Sequence, residues 1–311
     1  MYAMSDSVKY TKQVNLVLDY INAHINEEFD LKSLAQKTSL SAYHFHRIFT
    51  TIMGETLAKY IMRRRLEIAS IQLRNDVQKP ITNIAFECGF NSTNVFCRNF
   101  KKHFGMTAEA YRREMQQKNS KERTLKHNIS PDSRSYSHYF YRKKSFRIGD
   151  INMDCNFEIK YLDAIHVVYC RHIGAYTKMQ WAFEKLMQWA YSKGLVSMQD
   201  ASLISIYHNN PNVTEERKLI SDACLIVKEP IKTDGEISSY IIPAGQYAVG
   251  TFEISWDEFQ RAWECMSHLI AEHGCKSCGL VFEIYKNNHE EHPNKKWIVD
   301  LCIPVTSKCN V

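Results

Sequence analysis

The stretch from Leu31 to Arg113 carries one small pattern twice, and this duplication constrains the fold more than any other feature of the chain. The first copy reads LKSLAQKTSLSAYHFHRIFTTIMGETLAKY and the second ITNIAFECGFNSTNVFCRNFKKHFGMTAEAY. Before the central turn the copies are 50 residues apart, so that Leu31 matches Ile81, Leu34 matches Ile84 and Ala35 matches Ala85. After it they are 51 apart: Phe45 matches Phe96, Arg47 matches Arg98, Gly54 matches Gly105 and Tyr60 matches Tyr111. The slip falls in the turn, where an extra residue costs least. A repeat of this period means one supersecondary unit built twice.

Each copy has the logic of two helices joined by a turn. Ala35 and Ala85 are small residues where a second helix must approach closely. Thr38-Ser39 and Cys88-Gly89 form the turns, and Leu40 or Phe90 fills the gap between the helices. Ser41 and Ser92 are expected N-caps of the second helices. There Phe45, Ile48, Phe49 and Ile52 share one face by helical spacing, leaving Tyr43, His46 and Arg47 outside. In the second copy Phe96 and Phe100 face inward and Thr93, Asn94, Cys97 and Arg98 outward. Those outward groups are donors and acceptors of the kind that read base edges in a major groove.

Thr56 caps a predicted long helix to about Asp76, with Leu57, Ile61, Leu66, Ile68 and Leu73 as its apolar positions. Such a rod is about 30 Å long, enough to hold two reading helices about one turn of B-DNA apart. Arg63, Arg64 and Arg65 lie along it, either as a solvated face or with at least one on a phosphate. Residues 8 to 28 precede the repeat as an amphipathic helix carrying Val14, Val17, Leu18, Ile21 and Ile25.

Two such units, with RRRLEIA (Arg63 to Ala69) and the closing FGMTAEAYRR (Phe104 to Arg113), resemble the AraC/XylS family of bacterial transcription regulators. The likeness spans residues 14 to 113. That family usually has proline where this chain has Ala108; alanine also suits the first turn of a helix. The resemblance implies duplex DNA as a partner, and RNA polymerase beside it.

A chain of 311 residues is long for one core and divides more naturally into two domains. Charge divides it too. Residues 1 to 113 carry 16 basic and 10 acidic side chains, residues 114 to 150 carry 9 and 4, and residues 151 to 311 carry 15 and 20. The front suits a polyanion and the back does not. Residues 114 to 154 are polar and mixed and read as a linker, with an aromatic-basic patch from Tyr136 to Arg147. The opening MYAMSDSVKY lacks the apolar core of a signal peptide, and no apolar run reaches membrane-spanning length. A cytoplasmic protein is expected, so the ten cysteines are expected to be reduced. Cys275-Lys-Ser-Cys278 is a lone pair without the second pair a structural zinc site needs, and reads as a turn before a strand. No cofactor and no metal is expected.

From Asn156 the texture changes to strands. FEIKYLDAIHVVYCRHIG is extended, TKMQWAFEKLMQWAYSKG is an amphipathic helix closed by Gly194, and LISIYHNNP and RKLISDACLIVKEP are strands. The order then recurs in IIPAGQYAVGTFEI, SWDEFQRAWECMSHLIAEHG, GLVFEIYKNN and KKWIVDLCIPV. Tyr176 matches Trp256 and Phe183 matches Trp263 at 80 residues; Ser205 matches Glu283, Tyr207 matches Tyr285, Asn209 matches Asn287 and Asp222 matches Asp300 at 78. The fold class is therefore multidomain: an all-α double helix-turn-helix domain over 8–113, then an α+β domain over 155–306 of two strand-helix-strand-strand repeats.

That duplication, with RHIGAY and IPAGQYAV, resembles the gyrase-inhibitor-like small-molecule-binding domain. The resemblance implies a groove between the halves that takes cationic, lipophilic ligands against a glutamate, which falls on Glu283. Strand alternation puts Glu283 with Tyr285, and Ser205 with Tyr207, on one face, leaving Phe282 and Ile284 to pack under the helices. Tyr176 and Trp297 are weaker candidates for the lining. A carboxylate among aromatics favours a cation. An unpaired Glu283 would keep the empty groove wet or hold a proton part of the time. The expected function is a DNA-binding regulator controlled by a small effector. The alternatives are a hydrolase using Glu283 and Tyr285, and an architectural DNA-binding protein whose back half only contacts partners.

Overall fold

The computed structural model describes residues 2–76, 78–124, 144–148, 151–196 and 201–306. The front half holds helices α1 (Tyr2–Ala23), α2 (Leu31–Gln36), α3 (Ala42–Met53), α4 (Leu57–Asn75), α5 (Ile81–Glu87), α6 (Thr93–Phe104) and α7 (Ala108–Thr124). Local chemistry sets their ends. Asp30 accepts from Ser33 N, Ser41 from His44 N, and Thr56 from Lys59 N, each satisfying an otherwise orphaned donor of the first turn. Gly54 and Gly105 close α3 and α6 in the left-handed conformation. Ser92 precedes α6, but its hydroxyl makes no capping bond, unlike that of Ser41.

Each helix-turn-helix unit has its own core. Phe45, Phe49 and Met53 pack with α1 and with Leu34 and Ala35 of α2. Phe96 and Phe100 pack with Ile84, Ala85, Phe90 and one side of α4. The rod α4 serves both, giving Leu57 and Tyr60 to the first core and Leu66, Ala69 and Leu73 to the second. Both turns need a residue at positive φ, Ser39 at 57° and Gly89 at 83°. Only Gly89 occupies that region without steric cost.

The back half is one antiparallel sheet with a helix over each half. Its strands are β1 (Lys144–Ile148), β2 (Ile151–Leu162), β3 (Ile165–Ile173), β4 (Leu203–Tyr207), β5 (Ile220–Ile226), β6 (Ile237–Ile242), β7 (Gly245–Ile254), β8 (Lys276–Ser277), β9 (Val281–Tyr285) and β10 (Trp297–Thr306). Helices α8 (Gln180–Ser192) and α9 (Phe259–Glu272) complete the two units. The order β1-β2-β7-β10-β9-β4-β5-β3-β6 is symmetric about a central seam, where Ser205 of β4 faces Glu283 of β9. Strands β2 and β3 lie toward opposite ends of this order yet are joined by two residues, as are β6 and β7. The sheet must therefore curl. Its inner face forms a core from strands alone, including Tyr169, Ile204, Ile206, Tyr247, Val249 and Phe282.

Two sequence expectations are corrected here. The linker expected over 114–154 is shorter at both ends, since α7 runs to Thr124 and strands begin at Lys144. AEAYRREMQQKNSKERT is polar but has no glycine or proline and is rich in helix formers, so its polarity does not mark a linker. Most of the aromatic-basic patch, from Tyr136 to Lys143, lies outside the described residues. The second correction concerns faces: Phe282 and Ile284 pack in the strand-only core, not under the helices. Tyr285 instead packs with the cluster built on α9, so the Glu283 face is the one the helices flank.

The two halves dock through buried polar groups. Arg171 of β3 donates to both oxygens of Asp222 at 2.7 and 2.8 Å and to Asp19 of α1 at 2.7 Å. Tyr169 donates to the other oxygen of Asp19, and His208 meets Asp222 at 2.6 Å. Beside this cluster lies Glu67 of α4, 1% exposed. It accepts from Arg63 and Arg64 on its own helix and from Asn209 and Thr214 across the boundary. Ile220 of β5 adds an apolar contact to the first helical core. In the second repeat the positions matching Arg171, Asp222 and Asn209 hold Thr251, Asp300 and Asn287. There Thr251 and Lys286 satisfy Asp300, and the Asn287 amide donates to Lys296 O.

Asp222→Asn leaves Arg171 buried without its full counter-charge and is expected to cost about 3–5 kcal/mol, read as a lower urea midpoint. Burial pushes the Asp222 carboxyl up, but Arg171 and His208 outweigh it and hold the group well below the usual aspartate range. Its stabilisation is therefore complete above the ordinary aspartate pKa and is lost as pH falls toward the depressed folded value. The gap between wild type and Asp222→Asn should narrow as the pH is lowered from about 7 to about 3.

Candidate DNA-reading and ligand-binding sites

Helices α3 and α6 bury their phenylalanines and turn polar side chains outward. Tyr43 is 72% exposed. Arg47, Asn94, Cys97 and Arg98 are exposed, and His46 and Thr93 half-buried. The Arg47 guanidinium lies 5.8 Å from the Tyr43 ring centroid, which holds the two side chains together on the outer face. Arg47 and Arg98 both stand exposed on the outer faces of their helices.

The three arginines of α4 do something else. Arg63 and Arg64 are 5% and 6% exposed and spend their charge on Glu55 and Glu67. Arg65 donates to the carbonyls of Ile25 and Glu27. Its guanidinium also lies where a side chain at Gly89 would begin, 2.8 Å from that site. It clamps the loop after α1 to the turn of the second unit. The reading of these arginines as a solvated face or as phosphate contacts is thus replaced by an internal frame. The acids responsible, Glu55 and Glu67, are eight and four residues away from Arg63, and Glu67 lies within the helix by ordinary helical spacing.

The second candidate site is built on the seam of the sheet. Glu283 is 2% exposed. Its Oε1 accepts from the Trp263 indole of α9 at 2.8 Å; its Oε2 accepts from Tyr207 at 2.8 Å and from Tyr285 at 2.7 Å. The Tyr285 hydroxyl also meets Ser205 at 2.8 Å, so each tyrosine reaches across the seam to the other repeat. Tyr176 packs against Tyr207 with ring centroids 4.8 Å apart, and Phe183 of α8 packs edge-on against Tyr285 at 6.2 Å. Trp297 packs beside Tyr285 at 5.0 Å and stacks with His289 at 4.0 Å. The structure brings Glu283, Tyr285, Tyr207 and Tyr176 into one continuous group and places Trp297 at its edge.

An unpaired carboxylate was the expectation; the structure gives Glu283 three donors instead. All three are neutral, and no cationic side chain among the described residues pairs with it. Burial pushes its pKa up, and the bonds from Tyr285, Trp263 and Tyr207 only partly offset this. Burial and the neighbouring carboxylate push Tyr207 and Tyr285 well above the usual tyrosine range. Both hydroxyls therefore stay protonated and act as donors. Trp263 was missed as a partner of Glu283. Its repeat match to Phe183 marks it as packing, but a buried indole needs an acceptor, and here that acceptor is Glu283 on β9. Cys275 and Cys278 flank β8, the short strand that pairs with β10. Among the described residues no helix is long and apolar enough to cross a membrane.

Comparison with known proteins divides the chain at the same place. Residues 34–114 match the family model of a helix-turn-helix domain, and residues 156–306 that of the GyrI-like small molecule binding domain. The chain is 31% identical over 105 residues to the regulatory protein SoxS of Escherichia coli K12, covering 97% of that protein and 34% of this chain. It is 32% identical over 99 residues to SoxS of Salmonella typhimurium, covering 92% of that protein and 32% of this chain. Among solved structures, the EcmrR–DNA complex in EcmrR-RPo aligns with a TM-score of 0.45 at 13% identity, over 89% of this chain and 99% of that one.

Tyr207→Phe removes one of the three bonds that favour the charged form of Glu283, so its pKa should rise further. A raised folded value means that stability falls as pH increases through it, and the variant should extend that loss to higher pH. Carboxyl carbon NMR titration of both proteins measures the shift. An unchanged value would mean that Tyr207 does not hold the charged carboxylate.

Proposed function

Because the chain belongs to the AraC family of helix-turn-helix transcription regulators and carries a GyrI-like small molecule binding domain, we propose that its DNA binding answers to a lipophilic, cationic effector held at Glu283. The observation that carries this reading is the state of that carboxylate. It is buried, its three partners are neutral, and the matched position of the other repeat is Ser205. The fold has no need of an acid at the seam, since serine serves one side of it. A cation entering among Tyr207, Tyr285, Tyr176 and Trp297 gains the carboxylate and the aromatic faces together.

On the DNA side, Arg47 and Arg98 act in successive major grooves, with Tyr43, His46, Thr93, Asn94 and Cys97 sharing the readout. RNA polymerase is the protein partner this reading implies, and the cytoplasm its place of action. The hydrolase alternative would set Glu283 and Tyr285 to chemistry, but the family is one of regulators, not enzymes.

Two measurements test the reading. Glu283→Gln keeps the shape of the site and removes the charge. Its affinity for tetraphenylphosphonium should fall while that for neutral triphenylphosphine oxide holds, and thermal stability should hold or rise; calorimetry decides. If both proteins bind both compounds equally, Glu283 is not the counter-charge. Replacing Arg47 or Arg98 by alanine should cost about 1–3 kcal/mol of DNA affinity and relax sequence preference at one position. Titrations on selected and scrambled duplexes at several salt concentrations separate this from loss of a phosphate contact, which weakens all sequences alike.

A further inference from the structure

The groove carboxylate and the frame of the DNA-binding half are joined by a short, continuous run of contacts. Tyr207 donates to Glu283, and the Tyr176 ring packs on the Tyr207 ring. The Tyr176 hydroxyl donates to the carbonyl of Asn209 at 2.6 Å. The Asn209 side chain donates to Glu67 at 2.9 Å and accepts from Ile220 N at 2.9 Å. Glu67 in turn holds Arg63 and Arg64 on the rod that both reading heads share. Tyr207, His208 and Asn209 are also consecutive in the chain, so the end of β4 has one residue on the groove carboxylate and two in the boundary between halves.

We propose that this run, Glu283–Tyr207–Tyr176–Asn209–Glu67, is the relay by which occupancy of the groove reaches the DNA-binding half, with Tyr176 and Asn209 as its positioning residues. The proposal rests on the effector reading above. Three donors hold the two oxygens of Glu283, two of them on Oε2; in this relay a ligand cation that approaches the carboxylate takes the place of one of them. Trp263 is fixed on a packed helix, and Tyr285 has a second partner in Ser205. Among these three donors Tyr207 is the one on which Tyr176 rests. Its displacement moves Tyr176, and with it the carbonyl and backbone of Asn209. A hydrogen bond made or broken at Glu67 is a discrete change at a buried carboxylate, which is the kind of two-state element that coupling needs. The second repeat lacks such a path, because Asn287 bonds within its own hairpin, to Lys296 O and Ile298 N.

The test uses the full chain, tetraphenylphosphonium as probe, and a duplex selected from random sequence by the wild-type protein. Wild type should bind the probe with an affinity that differs at least about fivefold between free and duplex-bound protein. Tyr176→Phe keeps the ring and removes the bond to Asn209; Asn209→Asp keeps the acceptor for Ile220 and turns the donor to Glu67 into a repelling carboxylate. In both variants the ratio should move toward one; Asn209→Asp, which lies outside the residues that line the ligand, should also keep probe binding and duplex binding when each is measured alone. Thr214→Val removes a Glu67 bond that lies off the relay, and should keep the ratio. A wild-type ratio of one, or a ratio that Tyr176→Phe leaves intact, overturns the relay and leaves the effector reading standing. If the probe does not bind wild type, the effector reading fails, and the relay is decided without a ligand. Tyr207→Phe must then change amide hydrogen exchange over residues 60–70 of α4 relative to wild type, and unchanged exchange there overturns it.

Discussion

Glu67 is an acid in the middle of a helix, almost without solvent, with Arg63 and Arg64 one turn before it and two neutral donors from the other half of the molecule. Burial alone would push its pKa up; Arg64 and Arg63, with Thr214, bring it below the usual glutamate value. Removing either side of such an arrangement strands a charge in a place where water cannot reach it. The rod α4 is thereby tied to both of its neighbours. Its apolar stripe belongs to the two reading units, and its polar stripe to the sheet domain. The orientation of the DNA-binding half against the ligand-binding half thus depends on charges satisfied only when both are in place.

The sheet domain shows how a duplication becomes a site. Two repeats meet at the β4–β9 seam with matched residues opposed, and tyrosines from both sides converge on the centre. A perfectly symmetric pair would place two identical residues there. Two serines would leave only hydroxyls, and two glutamates would force like charges together in a dry place. One of each gives a single charge with a surplus of neutral donors around it. The curl of the sheet, imposed by the two-residue links at β2–β3 and β6–β7, gives the opposite face its own core. The helix-flanked face is therefore free to hold polar chemistry without loss of the hydrophobic interior.

What could be read from the residues follows the range of the interactions. Periodicity within single elements locates the paired helices of both units and the shared rod, but it places the first helix over 8–28, where the helix runs Tyr2–Ala23, and stops short of the last one, which runs to Thr124. The caps at Asp30, Ser41 and Thr56 were equally local. The convergence of Glu283, Tyr285 and Tyr207 was legible through the 78-residue match, since matched strands of a duplicated sheet meet at its axis. The roles of Arg63, Arg64 and Arg65 were not. A basic run reads as solvated or phosphate-binding until the folded chain supplies Glu55, Asn22 and the carbonyls of Ile25 and Glu27. The assignment of strand faces failed for the same reason. Alternation fixes which residues share a face, but the curl of the sheet decides which face the helices cover.

The second repeat offers the same backbone edge that the first uses to hold the helical domain, and yet it is closed to that use. Thr251 stands where Arg171 would reach out, Asp300 is already neutralised by Lys286, and the Asn287 amide is turned inward. A helical domain that approached this edge would find no guanidinium for Asp19 and no amide for Glu67. Duplication doubles the shape of a docking edge, while divergence at three positions leaves it single in chemistry. The bonds that join the halves at Asp19 and Glu67 are thus drawn from the first repeat alone.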